Sequence, residues 1–219
     1  ERLRPLTNKI PKPMVPVLGK PLVQYQLEWL KSEGITHIIL CCSYKYQVIK
    51  KYFGDGSKFG LKIDYSIESK PLGRGGAFKQ ALKFVDSSEE YIVGANGDEL
   101  TKENLTEVLK LHKQKNVKAT LLLGQLTSQF GIVDLDSENF IEGFIEKPKI
   151  PYWYSAGIYI FNRIALEEFP SIGDQEDDIF PKWAKEGKLL GYKIKTFHAT
   201  VNTVKEHTEA EIIVQKYFK

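Results

Sequence analysis

Hydrophobic positions up to about residue 130 alternate between two patterns, continuous apolar runs of strand length and stretches with helical spacing. The predicted strands lie at 38–43, 62–67, 91–95 and 119–123. The predicted helices lie at 22–31, 46–52 and 77–85, and a fourth begins near Thr101. Strands that alternate with helices are typical of a parallel sheet covered on both faces. We therefore expect an α/β fold with a doubly wound, mostly parallel, Rossmann-like sheet.

Beyond about residue 130 the pattern changes to strand-like runs joined by turns. These runs are 131–136, 140–146 and 153–161, and no helical spacing separates them. They predict a small antiparallel extension of the sheet. The chain then returns to a helix at 177–186, a strand at 190–197 and a helix at 204–218. No repeat or linker interrupts this order, so residues 1–219 are interpreted as a single domain.

Composition narrows the class of protein. Lys and Arg number 31 against 28 Asp and Glu, a net charge of +3, which does not indicate a nucleic-acid or membrane surface. The two cysteines, Cys41 and Cys42, are neighbours in an apolar run, where adjacent strand side chains point to opposite faces. A disulfide between them is therefore not expected. We expect a soluble cytoplasmic protein with no nucleic-acid or membrane partner, and a homo-oligomer is compatible with the sequence.

The first twenty residues are rich in proline and basic side chains. Prolines at this density exclude regular helix and strand, and the irregular segment they fix can hold Arg2 and Lys12 toward a polyanion. A solvated basic N-terminus explains the composition equally well.

Two turns carry residue types suited to phosphate chemistry. Residues 71–77 form a glycine-rich turn ahead of a helix, whose N-terminus favours negative charge, although such turns also serve as plain connections. Asn96, Gly97 and Asp98 follow a predicted strand, where a carboxylate can hold Mg²⁺ against phosphates. The same three residues are also good turn formers.

The order of short motifs resembles that of the sugar-1-phosphate nucleotidyltransferases, the NDP-sugar pyrophosphorylases, along nearly the whole chain. The local sequence from Glu68 to Ala77 looks like that of mannose- or heptose-1-phosphate guanylyltransferases. The matching segments, in order, are Arg2–Thr7, Pro11–Pro13, Gly19–Leu22, Pro71–Ala77, Asn96–Asp98, Phe130–Val133, Glu146–Pro148, Ala156–Tyr159 and Asp178–Pro181.

The resemblance implies transfer of a nucleotidyl group from a nucleoside triphosphate to a sugar 1-phosphate, with release of pyrophosphate. Arg2 matches the arginine that holds the triphosphate, and Lys12 matches the lysine that neutralises charge near the α-phosphate. Asp98 matches the ligand of Mg²⁺, the cofactor that the resemblance implies. With Lys147, which matches the lysine on the sugar phosphate, these are the predicted catalytic residues.

The resemblance also implies two binding sites. A carboxylate at Glu68 only accepts hydrogen bonds and suits the N–H donors of guanine, which favours GTP, although Glu68 could equally face solvent. The predicted nucleotide-binding residues are Glu68, Pro71, Leu72, Gly73 and Gly97. The predicted sugar-phosphate-binding residues are Gly131, Glu146, Lys147, Ala156 and Gly157. An exposed charge pair is the alternative interpretation of Glu146 and Lys147.

The chain departs from the family pattern at its start. The family begins with a buried strand and a glycine-rich loop, of which only Glu1–Leu3 remains here. This strand would lie in the middle of the parallel sheet. We expect the natural gene product to carry it, and an intact mass equal to that of the 219 residues would contradict this.

A second departure lies at 198–203. Thr200 stands at the position of a second metal-ligating aspartate, and a neutral hydroxyl is a poor substitute for a carboxylate on Mg²⁺. A site with one carboxylate, a regulatory homologue that binds nucleotide sugar without turnover, and a variant of unknown kind all remain open. His198 is expected to be a packed, hydrogen-bonded histidine rather than a catalyst.

Overall fold

The computed structural model describes Leu3 and residues 6–218. The helices of this part are α1 Leu22–Ser32, α2 Tyr46–Phe53, α3 Gly73–Ala81, α4 Leu105–Lys115, α5 Ile179–Lys185 and α6 Val204–Tyr217. The strands are β1 Pro16–Val17, β2 Lys20–Pro21, β3 His37–Cys42, β4 Lys62–Ile67, β5 Tyr91–Ala95, β6 Glu99–Thr101, β7 Ala119–Thr127, β8 Ile132–Leu135, β9 Ile141–Ile145, β10 Lys149–Asn162, β11 Leu189–Lys193 and β12 His198–Thr200.

The largest sheet has four strands in the order β11-β7-β10-β5. Only β11 and β7 run parallel, because the 14-residue strand β10 lies between β7 and β5 and runs antiparallel to both. A separate parallel pair is formed by β3 and β4. Short antiparallel pairs join β12 to β6, β8 to β9 and β1 to β2.

The α/β class is confirmed, and the mostly parallel sheet is wrong for the four-stranded part. The apolar run at 153–161 was expected in an antiparallel extension, whereas it forms the second half of β10 at the centre of the main sheet. There it pairs with β5 and β7, which were expected to lie in a parallel sheet. The antiparallel hairpin of β8 and β9 accounts for the rest of the expected extension.

A cavity of about 760 Å³ separates β3 from β5. Strand β3 is an edge of the parallel pair, and β5 is an edge of the four-stranded sheet. Both strands line it along their length, and Leu27 of α1 and Phe78 of α3 contribute to its walls. The central strand that the family resemblance implies stays a prediction. The cavity is the place in this fold where an extended apolar segment would meet two sheet edges.

Three apolar clusters hold the elements together. The largest packs α1, β3 and β4 against β10, the second is rich in aromatic side chains around Phe161 and Trp183, and the third joins α1 to α6. In the described part of the chain, no helix has the length and apolar character needed to cross a bilayer. The hairpin of β8 and β9 differs from these clusters because most of its apolar side chains, such as Phe144 and Ile145, are exposed.

The gap between the two sheets generates a first prediction. A segment of about a dozen residues fused ahead of residue 1, an apolar strand followed by a glycine-rich loop, should pair with β3 and β5 and raise the melting temperature, because it would satisfy two rows of backbone groups and bury apolar surface. Differential scanning calorimetry measures the shift. The same fusion with lysine at every second position is the control. Equal melting temperatures for both fusions would contradict strand insertion.

Glu168 links the second cluster to three partners. Burial opposes ionisation of this carboxyl, yet hydrogen bonds from Lys118, Trp183 and Lys182 lower its pKa to about 2. Its Oε1 lies 2.7 Å from Lys118 Nζ, and its Oε2 accepts from the indole of the fully buried Trp183 at 3.1 Å. The ionised form therefore stabilises the folded state.

We expect Glu168→Gln to lower the free energy of unfolding at pH 7 by on the order of 1 kcal/mol, because the pair is partly solvated. Since folding depresses the pKa of Glu168, this stabilisation is present above about pH 4.5 and disappears as the pH falls toward 2. Urea unfolding at several pH values measures it. Glu167→Gln, at an exposed neighbour, is the matched control. A pH-independent difference between the two variants would contradict the assignment.

Candidate active site

Lys12 and Asp98 meet at one end of the main sheet. Lys12 lies in a 3-10 turn, Lys12–Met14, and Asp98 lies in the turn between β5 and β6. The ammonium of Lys12 forms an ion pair with Asp98 Oδ2, and it also donates to Asn202 Oδ1. An open cleft of about 860 Å³, within the size range of ligand pockets, is lined by Lys12 and Asn202.

The turn that carries Asp98 is fixed from α1. Gln26, which is buried, donates its side-chain N–H to the carbonyl of Asn96 at 2.7 Å and approaches the carbonyl of Glu99 at 3.3 Å. Gly97 packs close to Pro13, the residue after Lys12. The helix therefore fixes the position of the turn that carries Asp98, and this turn packs against the turn that carries Lys12.

A chain of hydrogen-bonded polar side chains lies behind this turn, buried at Glu99 and exposed at Tyr154. Glu99 Oε2 is 2.8 Å from His198 Nε2, and His198 Nδ1 is 3.0 Å from the hydroxyl of Tyr154. Burial raises the pKa of Glu99, with Asp98 adding to the effect and His198 opposing it. Burial and the charge of Glu99 also raise the pKa of Tyr154. Both ring nitrogens of His198 are engaged, so the prediction of a packed, hydrogen-bonded histidine is confirmed.

At Gly157, strand β10 contacts the turn that carries Asp98. The register of β10 against β7 shifts between Ser155 and Tyr159, and Gly157 has a φ of +68° inside this irregularity. Its carbonyl accepts from Asn96 N–H at 2.9 Å. A Cβ at Gly157 would overlap the Asn96 amide and lie 3.0 Å from Glu99 Oε1. Ala156 is buried beside it. Two of the predicted sugar-site positions thus lie against the turn that holds Asp98.

The other predicted sugar-site positions lie on the hairpin of β8 and β9. Glu146 and Lys147 follow β9, are about 60% exposed, and form an ion pair at 3.5 Å, so the exposed charge pair is the observed arrangement. Lys147 has a φ of +45°, a left-handed conformation that is uncommon for a residue with a side chain. A Cβ at Gly131 would lie 3.1 Å from Glu146 Oε2. Their roles toward a sugar phosphate stay predictions.

The predicted nucleotide-binding turn packs against the chain itself. Leu72 N–H donates to Glu68 Oε2 at 3.2 Å, and Glu68 is one of the residues that line the 760 Å³ cavity. The helix α3 begins at Gly73, and its Arg74 N–H donates to Asp174 Oδ1 at 2.6 Å. Pro71 is exposed at the start of this turn. The turn at Gly73 therefore packs closely against residues 173–174. The role of this turn in binding a nucleotide stays a prediction.

Sequence reasoning missed Asn202 and did not assign Glu99. The one available signal for Asn202 was the pattern of Thr203 followed by Glu206, a capping box that starts α6 and leaves Asn202 just outside the helix. Arg2, the remaining predicted catalytic residue, lies outside the described residues.

The oxygen atoms near Lys12 are suited to a hard cation only in part. Among the described residues, no three His, Cys, Asp or Glu side chains lie close enough together to hold a metal ion. Asp98 supplies a carboxylate and Asn202 an amide oxygen, and Thr200 adds only a hydroxyl that accepts from Asn202 Nδ2 at 3.0 Å. Mg²⁺ commonly takes one or two carboxylates together with phosphate oxygens from a substrate. The residues present are compatible with that mode.

An ammonium and a carboxylate that meet at an open cleft, beside a tight glycine turn after a sheet strand, define a site suited to a phosphorylated ligand. The sequence profile of the family described as Nucleotidyl transferase matches residues 1–198. The chain belongs to this nucleotidyl transferase family, as its motifs predicted.

Individual relatives agree with this placement. The chain is 42% identical over 175 residues to a D-glycero-alpha-D-manno-heptose 1-phosphate guanylyltransferase of Campylobacter jejuni, covering 76% of each chain. It is 35% identical over 206 residues to a UTP–glucose-1-phosphate uridylyltransferase of Synechocystis, covering 85% of this chain and 53% of the relative. It is also 35% identical over 199 residues to a mannose-1-phosphate guanylyltransferase of Mycobacterium tuberculosis, covering 87% and 55%. The chain thus spans about half the length of the last two.

A solved structure gives the same fold. HddC from Yersinia pseudotuberculosis is 26% identical, with a TM-score of 0.75 and coverage of 100% of this chain and 94% of that one. A second structure of HddC, in complex with GMP-PN, matches with the same TM-score at 25% identity.

The close approach at Gly157 can be tested by adding one methyl group. We expect Gly157→Ala to lower the melting temperature more than Gly187→Ala, because both positions have φ near +67° but only position 157 meets neighbouring atoms. The control should cost about 1–2 kcal/mol of stability for the left-handed conformation alone. Thermal unfolding of both variants measures the difference. Equal shifts would show that the approach to Asn96 and Glu99 is not tight.

Proposed function

We propose that this chain transfers a nucleotidyl group from a nucleoside triphosphate, with GTP favoured, to a sugar 1-phosphate, and releases pyrophosphate. The observation that carries the proposal is the ion pair of Lys12 and Asp98 at the open cleft, in a chain that belongs to the nucleotidyl transferase family. The activities in the names of the three curated relatives support it.

The reaction joins two anions, so positive charge at the junction lowers its barrier. A phosphate oxygen of the sugar phosphate forms a bond to the α-phosphorus of the triphosphate, while the bond from that phosphorus to the bridging oxygen of the β-phosphate breaks. The electron pair leaves with pyrophosphate. Lys12 would neutralise charge on the α-phosphate once a phosphate oxygen replaces Asp98 or Asn202 as its partner. The nucleophile is already ionised, so no general base is required.

Asp98 would hold Mg²⁺, with the amide oxygen of Asn202 as the nearest further protein oxygen of the Lys12 cluster. When bound, Mg²⁺ supplies neutralisation of phosphate charge. Lys147 would meet the sugar phosphate, and Glu146 would accept from sugar hydroxyls. Arg2 would hold the triphosphate. These roles rest on the family resemblance.

The preference for GTP rests on Glu68. One oxygen of its carboxylate accepts from Leu72 N–H, and the other is free to accept from the N–H donors at the guanine edge. Two of the three curated relatives described above are guanylyltransferases by name, and one is a uridylyltransferase. The HddC complex contains GMP-PN.

A grid of GTP, UTP, dTTP and CTP against mannose, heptose and glucose 1-phosphates tests the proposal through pyrophosphate release. We expect turnover with GTP to exceed that with the other triphosphates, and Lys12→Ala to lower kcat about 100-fold, since it removes charge stabilisation at the reacting phosphate. Lys9→Ala, at an exposed lysine three residues away, is the matched control and should keep full activity. A clear preference for UTP or dTTP would remove the argument for guanine.

The neutral Thr200 favours a second candidate function, a regulatory homologue that binds nucleotide sugar without turnover. Asp98 is then the one carboxylate bound to Lys12 within the described residues. Binding of a GDP-sugar, measured by calorimetry, together with no pyrophosphate release from any combination of triphosphate and sugar 1-phosphate, would support this second function over the first.

A further inference from the structure

We propose that Asn202 is a positioning residue for Lys12, and that the hydroxyl of Thr200 sets the orientation of the Asn202 amide. The inference rests on the proposed function, and it concerns two residues that the family resemblance leaves without a role or marks as a departure. It explains how a site with a threonine in place of the second carboxylate can hold its lysine.

The backbone of Asn202 is fixed by the start of α6. Glu206 Oε2 accepts from Asn202 N–H at 2.6 Å and from Thr203 N–H at 2.9 Å, while Glu206 N–H donates to Thr203 Oγ1. This capping box anchors the residue that precedes the helix. Only the side-chain torsions of Asn202 remain to be set.

Thr200 sets the orientation of the side chain. Asn202 Nδ2 donates to Thr200 Oγ1 at 3.0 Å, which points the carbonyl oxygen Oδ1 toward Lys12 Nζ at 2.5 Å. If the amide rotated by half a turn, its N–H donors would face the ammonium, and two donors would meet with no acceptor between them. A threonine at position 200 is therefore useful as an acceptor rather than as a metal ligand.

The charge of the cluster shows why an amide suits this position. Lys12 and Asp98 together carry no net charge, and the neutral Asn202 keeps that balance while it gives the ammonium a second oxygen partner. With a carboxylate at position 202, the three side chains would carry a net negative charge and repel a phosphate. Without any oxygen there, Asp98 alone would hold Lys12, and the ammonium would be drawn out of the cleft.

A double-mutant cycle separates positioning from a structural role. The variants are T200V, N202D and the two combined, and the probe is pyrophosphate, with affinity measured by calorimetry at fixed Mg²⁺ and kcat and KM measured for GTP. We expect T200V alone to weaken pyrophosphate binding about tenfold, because the Asn202 amide loses the acceptor that orients it and its hydrogen bond to the charged Lys12 weakens as a result. In the N202D background T200V should change the affinity less than about twofold, because a carboxylate has two oxygens and needs no orienting partner.

Two control variants test the hydroxyl group. One removes a threonine hydroxyl at a different site, and the other keeps a hydroxyl at position 200. T208V removes a hydroxyl from an exposed turn of α6 and should leave the affinity unchanged. T200S keeps the hydroxyl and should bind pyrophosphate as the unmodified protein does, which guards against a folding defect in T200V. N202D by itself should weaken pyrophosphate binding through charge repulsion.

Two results would overturn the inference. The first is an equal loss from T200V in both backgrounds, which would assign Thr200 a structural role only. The second is no loss in either background. If the unmodified protein neither binds pyrophosphate nor releases it from GTP, the proposed function fails first, and this is visible before any variant is made.

Discussion

The buried amide of Gln26 is the interaction on which the site depends. It joins α1 to the turn after β5 and to the start of β6 through the carbonyls of Asn96 and Glu99, and these hydrogen bonds span 70 and 73 positions of sequence. Helix α1 is itself held by the largest apolar cluster, which also contains residues of β3, β4, β7 and β10. Gln26 also lines the cavity between β3 and β5, so this contact lies where the parallel pair faces the four-stranded sheet.

This arrangement places the polar groups in two layers. The outer layer contains Lys12, Asp98 and Asn202, of which Lys12 and Asn202 line the open cleft. The inner layer is the chain of Glu99, His198 and Tyr154, buried at Glu99 and reaching the surface at Tyr154, whose hydrogen bonds tie β6, β12 and β10 together. A hydrogen-bonded polar chain with both of its ends on strands restrains the geometry of those strands. The outer layer therefore rests on a rigid support.

The sequence predicted local elements well and their partners less well. The strands expected at 62–67 and 91–95 match β4 and β5, because apolar runs and turns are local signals. The position of β10 between β5 and β7 was not predictable, because an apolar strand pattern gives the faces of a strand and not its direction or neighbours. In the site, Lys12 and Asp98 were identified by resemblance and do meet. Asn202 was not, because it lies 190 positions from Lys12 and only the folded chain joins them.

The left-handed backbone of Lys147 has a consequence for how this protein tolerates change. A residue with a Cβ at φ of +45° costs roughly 1–2 kcal/mol relative to glycine, and the exposed pair with Glu146 returns little of it. A redesign guided by folding energy alone would therefore replace Lys147 with glycine and produce a more stable chain. Folding stability therefore favours glycine at position 147, whereas an ammonium group after β9 requires lysine. Selection for stability and selection for charge favour different amino acids at this position.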